Sequence, residues 1–171
     1  ARVEADVEVK RSDGFAQTTV TLTSSGVRFK QATASLPLSA LPRAAAPGGW
    51  TGTINLELAS LTLENGWPTQ AEGTLETIDL TGPVRRPATL GSYKVTFDGE
   101  PTEGEVVGVL ADLGGPLEIA GAVRLKPDHS YVVEGVVATR PDAPKSISDT
   151  LQYLGPADEQ GRRPFSIAGT M

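Results

Sequence analysis

The chain has 171 residues and a net charge of -6, with 39% apolar residues, 19 glycines, 13 prolines, aromatics at only 5% and no cysteine. That length and apolar content allow a real core and argue against disorder, and the missing cysteines exclude thiol catalysis, disulfide staples and thiolate-ligated zinc. An acidic chain repels a phosphate backbone, so nucleic acid is not an expected partner.

Hydrophobicity alternates with a period of two along most of the chain. Val3, Ala5, Val7 and Val9 alternate with Glu4, Asp6, Glu8 and Lys10, the pattern of a strand with one wet face. Ser12-Asp13-Gly14 and Ser24-Ser25-Gly26 are turn signals around a Thr- and Val-rich run, and Val27 to Ala34 continues the meander. Leu36 to Pro42 has room for one helical turn limited by its prolines, and Ala44 to Gly49 reads as a loop. Strands resume at Trp50. Ile54, Leu56 and Leu58 share one parity, and Leu61 and Leu63 the other, so a bulge or bend is expected near Ala59-Ser60. Asn65-Gly66 is a hairpin signal, with a return strand from Trp67 to Leu80. Gly82-Pro83 and Arg86-Pro87 mark another irregular stretch.

Tyr93, Val95 and Phe97 then alternate, followed by a turn at Asp98 to Pro101 and a strand assigned to Val107, Val109 and Ala111. Gly114-Gly115-Pro116 turns into the cleanest alternation, Leu117, Ile119, Gly121, Val123 and Leu125. Lys126 to His129 turns again, and Tyr131, Val133, Gly135 and Val137 return. Ser146 to Leu154 is the one helical pattern, with Ile147, Leu151 and Leu154 in phase, Ser146 as cap, Asp149 in the first turn and Gly155-Pro156 as stop. A last strand runs from Arg163 to Met171.

A short pattern recurs within the strands: a small or polar residue, glycine, a small or β-branched residue, then an apolar one. Its glycines are Gly52, Gly73, Gly121, Gly135 and Gly169. Glycine inside a strand costs roughly 0.5–1 kcal/mol relative to alanine. Five acceptances of that cost point to places where strands bend or backbones approach closely. The expected fold is all-β: one large, strongly curled, mostly antiparallel sheet, an open barrel- or roll-like meander, with one short helix near 146–154. We read residues 1–171 as a single domain, with stretches 36–49 and 82–90 as places where two sub-layers can meet.

Chemistry is sparse. The single histidine, His129, sits at a hairpin tip and reads as a solvated turn residue. Asp112 and Glu118 flank Gly114-Gly115-Pro116 and form the one carboxylate pair worth weighing, but nothing argues a cleft around them. Gly114-Gly115 lacks the Lys-Ser/Thr ending of a phosphate loop, and no Gly-x-Ser-x-Gly elbow is present. No catalytic, cofactor-binding or metal-ligating residue is assigned. Trp50, Trp67, Phe165 and Ile167 are the candidate interface residues, and the heavily charged first strand is a blunted edge while the last is less guarded.

The second half also carries an ordered set of short stretches: Leu90-Gly91-Ser92-Tyr93, Leu110 to Leu117, Gly121 with Leu125, Tyr131 with Gly135, Ala138-Thr139-Arg140, Leu151 to Asp158, and Phe165 to Gly169. In this order they resemble the type II secretion system protein N family. The likeness runs through residues 90–171, more loosely over the Trp50 and Trp67 hairpins, and weakly over 1–40. It implies an inner-membrane protein with a short cytoplasmic start, one membrane helix and a periplasmic domain. Such a protein would be an accessory part of the machine that exports folded proteins, with other inner-membrane subunits or the secretin as partners. No apolar run here approaches the ~20 residues of a membrane helix, and the chain opens at Ala1 directly in a strand pattern. It therefore reads as an excised piece whose anchor lies outside it. A second, architectural likeness is to lipid-handling AsmA-type envelope folds. A glycine-curled sheet with one continuous apolar face also leaves a lipid- or acyl-chain-binding groove as the alternative, its concave surface lined by residues such as Leu117, Ile119, Val123 and Val133.

Overall fold

The computed structural model describes residues 2–41, 49–82 and 89–170. The expected loops at 44–48 and around Pro83 and Arg86-Pro87 lie outside the described residues, as does Met171.

Ten strands form one antiparallel sheet, each paired with its neighbours in sequence. They are β1 (Val3–Arg11), β2 (Gly14–Leu22), β3 (Gly26–Pro37), β4 (Thr51–Glu64), β5 (Trp67–Thr81), β6 (Thr89–Asp98), β7 (Val106–Asp112), β8 (Leu117–Leu125), β9 (Ser130–Thr139) and β10 (Arg163–Thr170). A single 3₁₀ turn, Leu38–Ala40, follows β3, where the two prolines leave room for no more. Among the described residues the sheet does not close, so β1 and β10 are both edges.

Register explains why the alternation is so regular. Residues directly opposite one another in an antiparallel pair share a face. One row can be followed across all ten strands: Val9, Ala16, Ala34, Leu56, Leu75, Val95, Leu110, Gly121, Gly135 and Phe165. Every member is apolar or glycine. The row beside it runs Ala32, Leu58, Gly73, Phe97, Gly108, Val123, Val133 and Ile167. The expected irregularity near Ala59-Ser60 is a register shift between Leu58 and Ser60, which returns Leu61 to the face of Leu58. A second kink, at Gln31 with φ 50°, restores phase between β2 and β3.

Strand β7 departs from expectation. Its core-side residues are Val106, Gly108 and Leu110, while Val109 is exposed. The run Val106 to Ala111 is apolar on both parities, so its own periodicity does not choose a face. The pairing of Val106 with Leu125 and of Gly108 with Val123 does. The ring of Phe97 lies over Gly108 in the neighbouring strand, where an added Cβ would meet it at 2.7 Å.

Helix α1 (Lys145–Leu151) starts one residue before the sequence reading, with Pro144 at the N-cap position and no side-chain cap. Ser146 does not cap it, and Asp149 stands beyond the first turn. Proline suits a helix start because its missing N–H would be unpaired there anyway. A 3₁₀ turn, Gln152–Leu154, takes over the last three residues and ends at Gly155 with φ 100°. The tighter turn rotates Leu154 out of phase, so it is exposed while Ile147 is buried. Ile147 packs with Leu117 and Val137, joined by Leu90, Ile119, Leu151 and Phe165. This cluster covers one end of β8–β10. Away from this cluster Ala32, Leu58, Ala71 and Val106 of the same face are also buried, as is Leu38 of the 3₁₀ turn beside β4, although among the described residues no large side chain falls below 2% exposure.

Candidate interaction surface

The apolar face is the dominant surface feature. Apart from Arg11, Asp112 and Arg163, each the terminal residue of its strand, no charged side chain shares it among the described residues. The opposite face carries the charges and ties them in pairs, such as Lys94 with Glu76 at 3.4 Å and Arg124 with Glu134 at 3.3 Å. Leu117, Ile119, Val123 and Val133 all lie on the apolar face, Val123 directly opposite Val133. Exposure of this face rises toward the two edges. Val3, Val7, Val9 and Leu22 are exposed at the β1–β2 side, and Ile167 on β10 is 58% exposed.

The four candidate interface residues divide. Phe165 is half-buried, packed on the Leu117, Val137 and Ile147 cluster, and Ile167 is open beside it. Trp50 is half-buried, with its ring against Gly82, where an added Cβ would stand 3.4 Å away. Trp67 is only 5% exposed, so it is not a free anchor. Its ring stacks on His129, centroids 5.0 Å apart and nearly parallel at 8°. His129 is therefore half-buried rather than solvated. β6 and β7 stand between Trp67 and the β8–β9 turn, and three strand spacings are about 14 Å in a flat sheet. The stack closes that gap because the sheet is curled.

The five recurring glycines occupy different settings. Gly121 and Gly135 are directly opposite, and a Cβ on either would fall 2.1–2.2 Å from the other strand's carbonyl oxygen. Gly73, with φ 128°, brings its backbone against Glu57 and Leu58. Gly52 sits at the register shift between Thr51 and Thr53, and Gly169 lies under the ring of Tyr131.

Asp112 does not pair with Glu118, which is exposed. Its carboxylate is taken up by Arg140, which donates from Nη2 to Oδ1 at 2.6 Å, and by the amides of Gly114 and Ile119, each at 3.1 Å. Arg140 also donates to the carbonyls of Gly115 and Leu117, at 3.0 and 2.7 Å. The group thus clasps the β7–β8 turn to the end of β9. Burial opposes ionisation of Asp112, yet Arg140 and the two amides outweigh it and hold its pKa below the ordinary carboxylate value. Burial and the charge of Asp112 push the neighbouring Tyr93 up to about 12 against the opposing pull of Arg140, and its hydroxyl donates to the carbonyl of Leu90. Arg140 was not singled out from sequence as a partner, because it lies 28 residues from Asp112.

A stability test follows from this clasp. Folded Asp112 ionises below its unfolded value, so its contribution is complete above the ordinary carboxylate range and fades as pH falls through the folded pKa. Asp112→Asn is expected to cost about 2 kcal/mol near neutrality, because one amide loses its acceptor and Arg140 its counter-charge. Melting temperatures measured from neutral pH down to below pH ~4 should converge for the two proteins at the acid end. Parallel curves would mean that the carboxylate charge is not what holds the turn.

Among the described residues no three His, Asp or Glu gather in a metal-binding group, and no helix is long and apolar enough to cross a membrane. No curated protein and no solved structure matches the chain. Residues 1–166 match the family model of type II secretion system (T2SS), protein N, taking in the first strands and the Trp50 and Trp67 hairpins, where the likeness was weak or loose, as well as most of 90–171. An all-β sheet with one short helix, built on the very stretches that carried that likeness, thus belongs to the type II secretion system protein N family.

Proposed function

We propose that the chain is a non-catalytic accessory subunit of the type II secretion machinery that works through protein–protein contacts in the periplasm. It is the folded domain of an inner-membrane protein anchored by a helix outside the present sequence. The family match over residues 1–166 carries this reading. Two features of the molecule support it. The most buried carboxylate, Asp112, is spent on turn amides and Arg140. The open sheet, in turn, offers an uncharged face and two free edges, the surfaces by which β proteins recruit strands or apolar segments.

The uncharged face favours a second reading, a groove for a lipid acyl chain. Val123 and Val133 lie half-buried on that face with no ionic group beside them, while Leu117 and Ile119 are packed under Ile147 of α1, which confines such a groove to the part of the face beyond the helix. Apolar chains are accepted by such a surface without loss of hydrogen bonds.

Native mass spectrometry of the purified chain, alone and with the periplasmic domain of each inner-membrane component and of the secretin, addresses both. The secretion reading expects a saturable complex with at least one of these domains and an unliganded chain when alone. Absence of any complex across all components defeats it. A co-purified lipid mass, lost on Val123→Glu, is the outcome that moves the assignment to the groove.

A further inference from the structure

The charged face of the sheet carries an aromatic ring out of keeping with it. Phe29, Tyr93, Phe97, Tyr131 and Phe165 share the apolar face. Phe15 of β2 stands on the charged one, paired with Lys10 of β1 and Ser35 of β3, and is 44% exposed. Its row continues across the sheet through Asn55 and Glu76 to Lys94. The row beside it runs Thr33, Glu57 and Thr74. Side-chain size decides what these two rows make. Ser35, Asn55 and Thr33 are short, and they stand between the Phe15 ring on one side and the long Glu76 and Lys94 on the other. The result is a hollow of about 220 Å³.

The hydrogen-bonding groups of this hollow are largely uncommitted. The Ser35 hydroxyl donates to Asn55 Oδ1 at 2.8 Å, which orients the amide and leaves both Nδ2 hydrogens for a ligand. Among the described residues the Thr33 and Thr74 hydroxyls and the Glu57 carboxylate have no side-chain partner. The one cation of the lining, Lys94, is tied to Glu76 at 3.4 Å. An anion would therefore meet the Glu57 carboxylate rather than a free positive charge. A wholly apolar ligand would strip water from the amide, hydroxyl and carboxylate groups and return nothing. Strands β2 to β6 are each paired on both sides, so an extended peptide cannot add here as a strand. A ligand with an apolar face and a rim of hydroxyls satisfies both halves of the lining. We propose that this hollow binds a sugar unit of a glycan, the C–H face of the ring lying on Phe15 and its hydroxyls held by Asn55 and Glu57. The volume is smaller than a drug-sized ligand needs and suits one ring of a chain. The site lies on the face opposite the uncharged one, so a glycan and a protein partner can be held at the same time.

Amide NMR spectra of the chain titrated with cellotetraose and with chitotetraose test the site. At least one of the two should give saturable shifts, centred on Phe15, Ser35, Asn55 and Glu57. Phe15→Ala should weaken binding about tenfold, the loss of one ring stack, with little change in melting temperature because the ring is exposed. Phe15→Tyr, which keeps a ring, should retain binding, and Asn55→Ala should weaken it. Ile167→Ala, on the opposite face at the far edge, should bind as the unmodified chain does. The proposal is overturned if neither saccharide shifts these amides at millimolar concentration, or if Phe15→Ala and Asn55→Ala bind as tightly as the unmodified chain. It is equally overturned if inorganic phosphate or tetramethylammonium shifts the same amides as strongly, which would make the hollow a site for a small ion.

Discussion

Trp67→Ala should lower the free energy of unfolding by about 3–5 kcal/mol, the range for removing a large buried aromatic side chain. The residue opens β5, is 5% exposed, and holds the β8–β9 turn through its stack on His129. Two companion variants separate the causes. His129→Ala removes only the stack and should cost about 0.5–1.5 kcal/mol. Trp67→Phe keeps a ring in place and discards the indole Nε1, which has no hydrogen-bond partner. An unpaired buried donor carries a desolvation cost, so that loss offsets the smaller ring and leaves a net change of about 1 kcal/mol or less. Urea unfolding midpoints rank the three. A Trp67→Ala midpoint equal to that of the unmodified chain would show that this end of the sheet is held by something other than the ring pair.

The second large effect belongs to Gly121 and Gly135. Gly121→Ala would place its Cβ 2.1 Å from the carbonyl oxygen of Glu134, and Gly135→Ala 2.2 Å from that of Ala120. These are backbone atoms held in the ladder, so relief requires the β8–β9 pair to separate. We expect each variant to cost about 3 kcal/mol, at the upper end for forced overpacking. Both substitutions relieve themselves by the same separation, so the double variant should cost less than the sum of the two. Gly66→Ala is the contrast. Nothing lies within 4 Å of its added Cβ, and only its φ of 78° opposes the change, at about 1–2 kcal/mol. Denaturant titration of the four proteins reads the difference. If Gly121→Ala is no worse than Gly66→Ala, close backbone approach is not the reason for the glycine pair.

These positions also show what a single sequence discloses. Strand identity was legible because half-burial writes itself as alternation, and the turns because they need glycine, asparagine and proline at fixed places. The bulge at Ala59-Ser60 was legible as a parity switch, for the same reason. The glycines of β8 and β9 were visible as a recurrent pattern, but their facing one another was not, since register is a property of two strands. Strand β7 was assigned the wrong face because Val106, Val107, Val109 and Leu110 leave no polar marker. The cap of α1 was misplaced because Ser146 is a good cap by type, while Pro144 was already in place to start the helix. At the candidate surface, Asp112 and His129 were noticed and their partners were not. Arg140 and Trp67 reach them across turns and neighbouring strands, where spacing along the chain carries no information.

The strand order itself has a consequence for how the molecule comes apart. Because among the described residues every strand pairs only with its sequence neighbours, the sheet behaves as a zipper along the chain. Its strength is uneven along that line. β8, β9 and β10 are locked by the cluster around Ile147, whereas all nine residues of β1 are exposed. Opening is therefore expected to start at the amino-terminal hairpin and to stall before β8, so that a detached β1 leaves the remaining nine strands a continuous sheet.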